Sequence, residues 1–178
     1  METQRDANLL GALALGMSDD IQSAVRRQTG LSPTACAVLA TLGPFPGETI
    51  GTVAQILGVT HSVAVRVVED LVRRGLVARA VGKDRRQVRL TLTPDGLAMR
   101  DTVMSARNSV LNAVLGVLTV EDRARLEALV SAMLIELTAS RAKADHLCRL
   151  CDEFVCTRDT CPVELEALRK TEASRTSS

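Results

Sequence analysis

Four of the five cysteines in this chain of 178 residues lie within fourteen consecutive positions near its carboxyl end. The stretch HLCRLCDEFVCTRDTCPVE has the spacing Cys148-x2-Cys151-x4-Cys156-x4-Cys161. Four thiolates this close in sequence can wrap one ion, and four thiolates around Zn²⁺ form a closed structural site. The spacing therefore predicts a metal clip, mainly for zinc, in which His146 is an alternative ligand.

The same cysteines are compatible with other chemistry. Cys161 precedes Pro162 and the helical pattern VELEALRK, so we expect it at the N-cap of a short helix, where backbone N–H groups stabilise a thiolate. A reactive thiolate would suit a redox sensor that forms a reversible disulfide. An iron–sulfur cluster is a third alternative, although the spacing matches neither ferredoxin pattern. Two further alternatives are inert thiols that bind no cofactor and an adaptor segment that docks another protein.

A second group of chemically informative residues is basic. Residues 61–89 hold eight Arg and Lys against three Asp and Glu, although the whole chain has a net charge of only +1. A local basic stripe is typical of phosphate binding. Arg66 is the first candidate for a base contact, because Arg can bind guanine O6 and N7 together. The full set of candidate DNA contacts is Thr60, His61, Ser62, Val65, Arg66, Arg73, Lys83, Asp84, Arg85 and Arg86.

The elements that position these residues follow from periodicity and turn signals. A helix over 5–28 and a second helix opened by Ser32-Pro33 precede a loop at 43–47. A short helix to Leu57, a turn at Gly58 and a helix over 60–74 then form a helix-turn-helix candidate. In its second helix an apolar stripe repeats at helical spacing, namely Ala64, Val67, Val68 and Leu71.

Two short β-type runs follow, LVARAV and QVRLTLT, and they predict a hairpin. Val88, Leu90 and Leu92 alternate with polar residues, so we expect them on one dry face. Next to the helix pair, the cationic tip is interpreted as a wing that contacts DNA. A helix from Pro94 to about Leu118 comes next.

Thr119 and Asp122 resemble a capping box that opens a further helix, which we expect to run to about Ala144. Its apolar stripe consists of Leu126, Leu129, Val130, Met133, Leu134 and Leu137. Long terminal helices have more apolar surface than one small domain can cover, so we predict that they form a homodimer.

The predicted fold class is mainly α with a small β-hairpin wing, a winged helix-turn-helix with long terminal dimerisation helices. Residues 5–144 would form this domain, with a DNA-binding core at about 31–93. Residues 145–171 would form the Cys-rich clip and a short helix, and 172–178 a disordered tail. Cys36, on an apolar helix, is expected in the core.

From Leu31 to about Leu137 the order of elements resembles the MarR family of winged-helix transcriptional regulators. The motifs that carry the resemblance are RGLV at 74–77, DRR at 84–86 and LTPDG at 92–96. The resemblance implies a homodimer that inserts two recognition helices into a pseudo-palindromic double-stranded operator, mostly as a repressor. It also implies that Arg86 reaches the minor groove, braced by Asp84, and it permits a small-molecule effector between the dimer helices and the winged domain.

Other classes of protein are disfavoured. The chain has no Gly-rich phosphate loop, no nucleophile elbow, no His-Glu metalloprotease pattern and no βαβ setting for a thioredoxin-like Cys-x2-Cys, so we expect no enzyme. The longest uncharged stretch, 28–47, is interrupted by three prolines and three glycines, so we expect no membrane span and a cytoplasmic location. In a reducing cytosol, clustered cysteines favour metal or redox chemistry over a disulfide framework.

Overall fold

The computed structural model describes residues 2–81 and 88–176, which form eight α-helices and one two-stranded antiparallel sheet. The elements are α1 Glu2–Thr29, α2 Pro33–Leu42, α3 Ile50–Leu57, α4 His61–Arg73, β1 Val77–Val81, β2 Val88–Leu92, α5 Pro94–Leu115, α6 Val120–Leu137, α7 Arg141–Cys148 and α8 Pro162–Thr176. The predicted fold class, mainly helical with one β-hairpin, is confirmed.

Helix α2 lies at the centre of the core. All of its residues from 35 to 42 are buried, because α3, α4, α5 and β2 contact it. A helix that is apolar on every side needs this kind of surrounding. Cys36 is 3% exposed among these residues, as expected, and burial raises the pKa of its thiol to about 11.

Six helices begin at a Ser or Thr whose side-chain oxygen accepts a backbone N–H three residues later. Such N-caps satisfy donors that the first helical turn leaves free. The predicted starts at Ser32-Pro33 and Thr119 are confirmed, and the Asp122 carboxylate lies 3.0 Å from the Thr119 hydroxyl that caps its own N–H. The caps are Ser32, Thr49, Thr60, Thr93, Thr119 and Ser140.

The hairpin is connected to the body of the domain by its inner end. Val77 pairs with Leu92, and Val81 pairs with Val88 at the outer end. The predicted dry face is confirmed at Leu90, which is fully buried, and at Leu92, which is half-buried. Val88 was expected on that face but is 42% exposed, because it lies at the end farthest from the core.

The family motifs that flank the hairpin are adjacent in space. The Thr93 hydroxyl donates to the Gly75 carbonyl at 2.6 Å, and the Thr93 N–H donates to the Leu76 carbonyl at 3.1 Å. A Cβ atom at Gly96 would overlap the same Leu76 carbonyl oxygen. The spacing of RGLV and LTPDG therefore reflects one packed junction between α4, the hairpin and α5.

The expected single helix from Thr119 to about Ala144 is wrong. α6 ends at Leu137, where Thr138 has φ −84° and ψ 78°, and Ser140 caps a separate helix α7. Thr138 is fully buried, and its carbonyl accepts a 2.6 Å hydrogen bond from Lys170 of α8. Packing against α8 thus stabilises a break that the helical pattern alone does not show.

The terminal helices differ from expectation in length. α5 ends at Leu115 rather than near Leu118, with Gly116 as its C-cap. α8 is helical through Thr176, so residues 172–176, which we expected in a disordered tail, belong to it.

No single helix of the described residues is long and apolar enough to cross a membrane. Two consecutive pairs of helices reach that apolar length only together, across bends of 111° and 115°.

Candidate nucleic-acid interface and thiol cluster

Helices α3 and α4 form a helix-turn-helix. Gly58 ends α3 with a φ of 64°, a left-handed conformation that favours glycine, and its N–H bonds back to the carbonyls of Ala54 and Gln55. The two helices are bent by 111° relative to each other. The helix-turn-helix that the sequence predicts is therefore present.

Helix α4 has one buried face and one open face. Ala64, Val68 and Leu71 are fully buried, and Val67 packs against the same core. This anchoring leaves His61, Ser62 and Arg66 exposed and Val65 half-buried on the other side. The candidate recognition residues of this helix thus share an accessible surface.

The first turn of α4 carries several polar side chains. Thr60 caps the helix by accepting the Val63 N–H at 3.4 Å, and its hydroxyl lies 3.1 Å from that of Ser62. His61 is exposed beside them. A helix N-terminus with hydroxyl groups and a positive dipole end can bind a phosphate or a base edge.

The arginines of α4 differ in their partners. Arg73 and Arg74 both contact Asp70, at 3.1 Å and 2.7 Å. Arg66 has no ion pair or hydrogen bond with any residue in the described ranges, and it lines an open groove beside residues 30–35. Arg66 can therefore contact DNA without first breaking an ion pair. For Arg73, DNA would have to compete with the Asp70 carboxylate.

The wing tip lies outside the described residues. Lys83, Asp84, Arg85 and Arg86 all fall in the range 82–87, which connects the outermost hairpin pair. One residue after the outermost pair, Arg89 of β2 donates a 3.0 Å hydrogen bond to the Gly47 carbonyl. β2 also exchanges backbone hydrogen bonds with Gly47 and Glu48, directly before α3, so the wing and the helix-turn-helix are joined.

The four clustered cysteines, here called the thiol cluster, meet at one cavity. Cys148 is the last residue of α7 and Cys161 directly precedes α8, with its carbonyl accepting the Leu165 N–H at 3.0 Å as an N-cap residue does. Cys151 and Cys156 lie in the connecting loop, and none of the four forms a disulfide. All four line a cavity of about 60 Å³.

The thiols alter one another's pKa values in two pairs. Cys148 donates to the Cys151 sulfur, which lowers the pKa of Cys151 to about 7 and raises that of Cys148. Arg107 and Arg149 also favour the Cys151 thiolate. Burial and a hydrogen bond with Cys161 raise the pKa of Cys156 to about 11. Near neutral pH, Cys151 is therefore partly ionised, whereas Cys148 keeps its proton.

Charged residues surround this cavity. Arg141 donates to Glu164 at 2.7 Å and to Asp145 at 2.9 Å, and burial raises the pKa of the Glu153 carboxyl. In the described part of the chain, no three His, Cys, Asp or Glu side chains are placed so that they could hold a metal ion. Coordination by all four thiols would therefore require the sulfur atoms to shift.

His146 lies away from the thiol cavity. Its Nδ1 atom is 3.0 Å from the Ile56 carbonyl oxygen, so Nδ1 carries the proton and donates to the last turn of α3. His146 lines a separate groove with residues of α1 and α2. The structure therefore does not bring this alternative ligand to the cysteines.

Several contacts that the sequence analysis missed hold the Cys-rich loop, residues 149–161, on the winged domain. The guanidinium of Arg100 in α5 lies 2.9 Å from Asp152 and 4.8 Å from the centre of the Phe154 ring. Arg158 lies 5.0 Å from the centre of the Phe45 ring. These pairs are about fifty or more residues apart in sequence, so no local pattern could have revealed them.

Residues 29–87 match the MarR family. No curated protein matches the chain. The solved structures similar to it include YusO from Bacillus subtilis, which is 25% identical with a TM-score of 0.65 over 74% of this chain and 94% of YusO.

Two more solved structures show the same fold. A mutant of MepR from S. aureus bound to an oligodeoxyribonucleotide is 20% identical, with a TM-score of 0.57 over 74% of this chain and 96% of MepR. MarR from E. coli, in its apo form, is 22% identical, with a TM-score of 0.58 over 70% of this chain and 96% of MarR. At least a quarter of this chain thus has no counterpart in these three structures.

The family match over residues 29–87 and the similarity to these solved structures show a MarR-type winged-helix fold. Regulators of this family are generally non-enzymatic.

Proposed function

We propose that this protein is a MarR-type transcriptional regulator, a homodimer that binds a pseudo-palindromic site in double-stranded DNA and represses transcription. The observation that carries the proposal is the open face of α4, where Arg66 and the polar first turn lie opposite a fully buried stripe. The oligodeoxyribonucleotide in the MepR complex supports DNA as the partner of this fold. The protein would act on DNA in the cytoplasm, without enzymatic activity.

The wing would supply the second contact with DNA. Lys83, Arg85 and Arg86 follow β1 in the sequence, and Asp84 would brace Arg86. An Arg at such a tip suits a narrow, electronegative minor groove. The hydrogen bonds between β2 and residues 47–48 support a fixed relation between wing and recognition helix.

The exposed apolar faces of the terminal helices support the dimer. α6 has no buried residue, and Leu129, Met133 and Leu137 are between 41% and 61% exposed. In α1, Leu9, Leu10 and Leu13 are about half exposed. Contiguous apolar surfaces of this kind mark interaction sites, and a two-fold dimer would place two α4 helices about 34 Å apart.

A small-molecule effector would fit the groove between α1, α2, α5 and α7. Its volume is about 570 Å³, which is in the range of ligand sites. Met17, Ile21 and Leu57 give it aliphatic walls, and Arg107 and Arg149 add positive charge. We propose an apolar effector with an anionic group.

For the thiol cluster, we propose a structural metal clip that binds one Zn²⁺ ion. The support is the convergence of all four sulfurs on one small cavity, together with a thiolate at Cys151. The thiol–thiolate pair of Cys148 and Cys151 favours a second candidate, a redox switch, because a low-pKa thiol beside a second cysteine oxidises reversibly. An iron–sulfur cluster is the third.

The thiol cluster is tested by metal and acid-labile sulfide content of protein purified anaerobically without a metal-binding tag. About one zinc per chain without visible absorption supports the clip. Acid-labile sulfide together with visible absorption would rule out the zinc clip and support an iron–sulfur cluster. Metal-free protein with four titratable thiols would rule out the zinc clip and support the redox switch.

The DNA-binding proposal is tested by selection of duplexes from a random pool, followed by footprinting. Protection of two related half-sites one helical turn apart supports a dimeric operator-binding protein. Absence of any selected sequence would overturn it.

A further inference from the structure

Helix α7 connects the thiol cluster to the helix-turn-helix. Cys148 is its last residue, and His146, one half-turn earlier, donates to the Ile56 carbonyl of α3 at 3.0 Å. A carbonyl in the last turn of a helix lacks an intrahelical partner. His146 therefore supplies the hydrogen bond that the end of α3 would otherwise take from water.

The His146 ring also lies against the turn itself. A Cβ atom at Gly58 would be 3.1 Å and 3.2 Å from the Cε1 and Nδ1 atoms of His146. Gly58 therefore serves two purposes, since its φ of 64° closes α3 and its missing side chain admits the imidazole. The contact is at the point where α3 turns toward α4.

The cysteines face the same region through a second cavity. Cys148 and Cys151 line a space of about 40 Å³ together with Thr41 of α2 and Ile56 of α3. The Thr41 hydroxyl is buried and has no hydrogen-bond partner among the described residues. A shift of either sulfur therefore changes the packing against α2 and α3 directly.

The Cys-rich loop is fixed on its other side by Arg100. Arg100 is 4% exposed, and its guanidinium binds Asp152, the residue after Cys151. The side chain of Arg100 also fills the space beside Gly43, at the end of α2. The ion pair therefore holds the Cys-rich loop against α5 one residue after Cys151.

We propose that α7 is a clamp, through which the arrangement of the four cysteines sets the position of the α3–α4 turn and thereby the affinity for DNA. His146 is the positioning residue of this clamp. With α7 seated, the last turn of α3 is held and α4 is presented as in this structure. A change of the thiol cluster that displaces Cys148 releases the turn and weakens DNA binding. The effect on DNA rests on the proposed function, whereas the clamp itself does not.

The test is hydrogen–deuterium exchange of the full-length protein, compared for wild type, His146→Ala, Cys148→Ser and the double variant. We expect amides at 54–60 to exchange about tenfold faster in each single variant, with no further increase in the double variant, because both changes release one contact. Lys143→Ala, an exposed change on the same helix, is the control and should exchange as wild type. His146→Asn, which keeps an N–H donor, should restore most of the protection.

Amides of α2 at 36–42 report whether a variant has kept its core. If Cys148→Ser loses this protection, Cys151→Ser replaces it in the comparison. Unchanged exchange at 54–60 in His146→Ala, or additive effects in the double variant, would overturn the clamp.

Operator affinity is measured on the same proteins, and we expect His146→Ala to bind about tenfold more weakly. If wild type binds no DNA but exchange at 54–60 follows the expected pattern, the proposed function fails and the clamp remains.

Discussion

The guanidinium of Arg100 in α5 forms a 2.9 Å ion pair with Asp152 of the Cys-rich loop, and only 5% of the Arg100 side chain is exposed. Phe154 covers the same guanidinium at 4.8 Å. A charge so deeply buried depends on its partner, because the protein interior offers no water to replace it. The Cys-rich loop is therefore an integral part of the winged domain and not a loose appendage.

Replacement of Asp152 by Ala should lower the free energy of unfolding by about 3 kcal/mol, because it leaves the Arg100 guanidinium with one partner fewer in a buried site. Urea denaturation followed by circular dichroism measures this loss. Arg125→Ala is the control, since Arg125 pairs with Asp122 at 3.4 Å on the exposed surface, and its loss should cost less than about 1 kcal/mol. Equal effects of the two substitutions would contradict the anchoring role of Asp152.

Arg66→Ala should weaken operator binding by about 1–3 kcal/mol and relax sequence preference at one position in each half-site. Fluorescence anisotropy with a selected duplex and its single-base variants measures both effects. Arg123→Ala, an exposed arginine of α6 outside the basic stripe, is the matched control. An equal loss of affinity in both variants would rule out Arg66 as a base contact.

Arg86→Ala should weaken operator binding far more than Arg141→Ala, because Arg141 pairs with Glu164 and Asp145 beside the thiol cluster. A gel-shift titration gives the comparison. If the dimer neutralises about eight phosphates, log K should fall against log salt with a slope near −7. A slope near zero would contradict DNA binding through the basic stripe.

Met133→Glu should convert the protein to a monomer, because it puts a carboxylate on the exposed apolar face of α6. Sedimentation velocity at micromolar concentration measures the mass. Glu127→Lys, on the same helix but off the apolar stripe, should remain dimeric. A wild-type monomer under these conditions would refute the dimer itself.

In reduced, metal-free protein, Cys151 should react with iodoacetamide at a rate that is half-maximal near pH 7, because a thiolate is the nucleophile and the Cys151 pKa is lowered to about 7. The rate rises with pH, since the thiolate forms as pH passes the pKa. Cys156 is the control: it is more exposed, but its pKa is raised to about 11, so it should react more slowly at neutral pH. Faster labelling of Cys156 by mass spectrometry would show that exposure, not charge, decides reactivity.

The sequence predicted the elements that local rules define. Caps at Ser32 and Thr119, the turn at Gly58 and the buried stripe of α4 follow from short-range patterns, and the structure confirms them. The break at Thr138 was missed because it depends on Lys170, which lies 32 residues away. The exposure of Val88 was missed because alternation gives a strand's faces but not where the core ends.

For the candidate sites, too, local patterns could be predicted from the sequence, whereas contacts between distant residues could not. The open face of α4 could be predicted, since helical periodicity places Arg66 opposite Ala64 and Val68. The grouping of the four cysteines at one cavity was also expected from their spacing. The position of His146 could not be, because its hydrogen bond with Ile56 spans 90 residues of sequence.

The most direct test of binding to DNA as a dimer is sedimentation of the full-length protein with a duplex selected from a random pool, combined with a footprint of that duplex. We expect one dimer per duplex and protection of two related half-sites whose centres are about 34 Å apart. Binding as a monomer to a single site, or no sequence preference over random DNA at the same salt concentration, would contradict it.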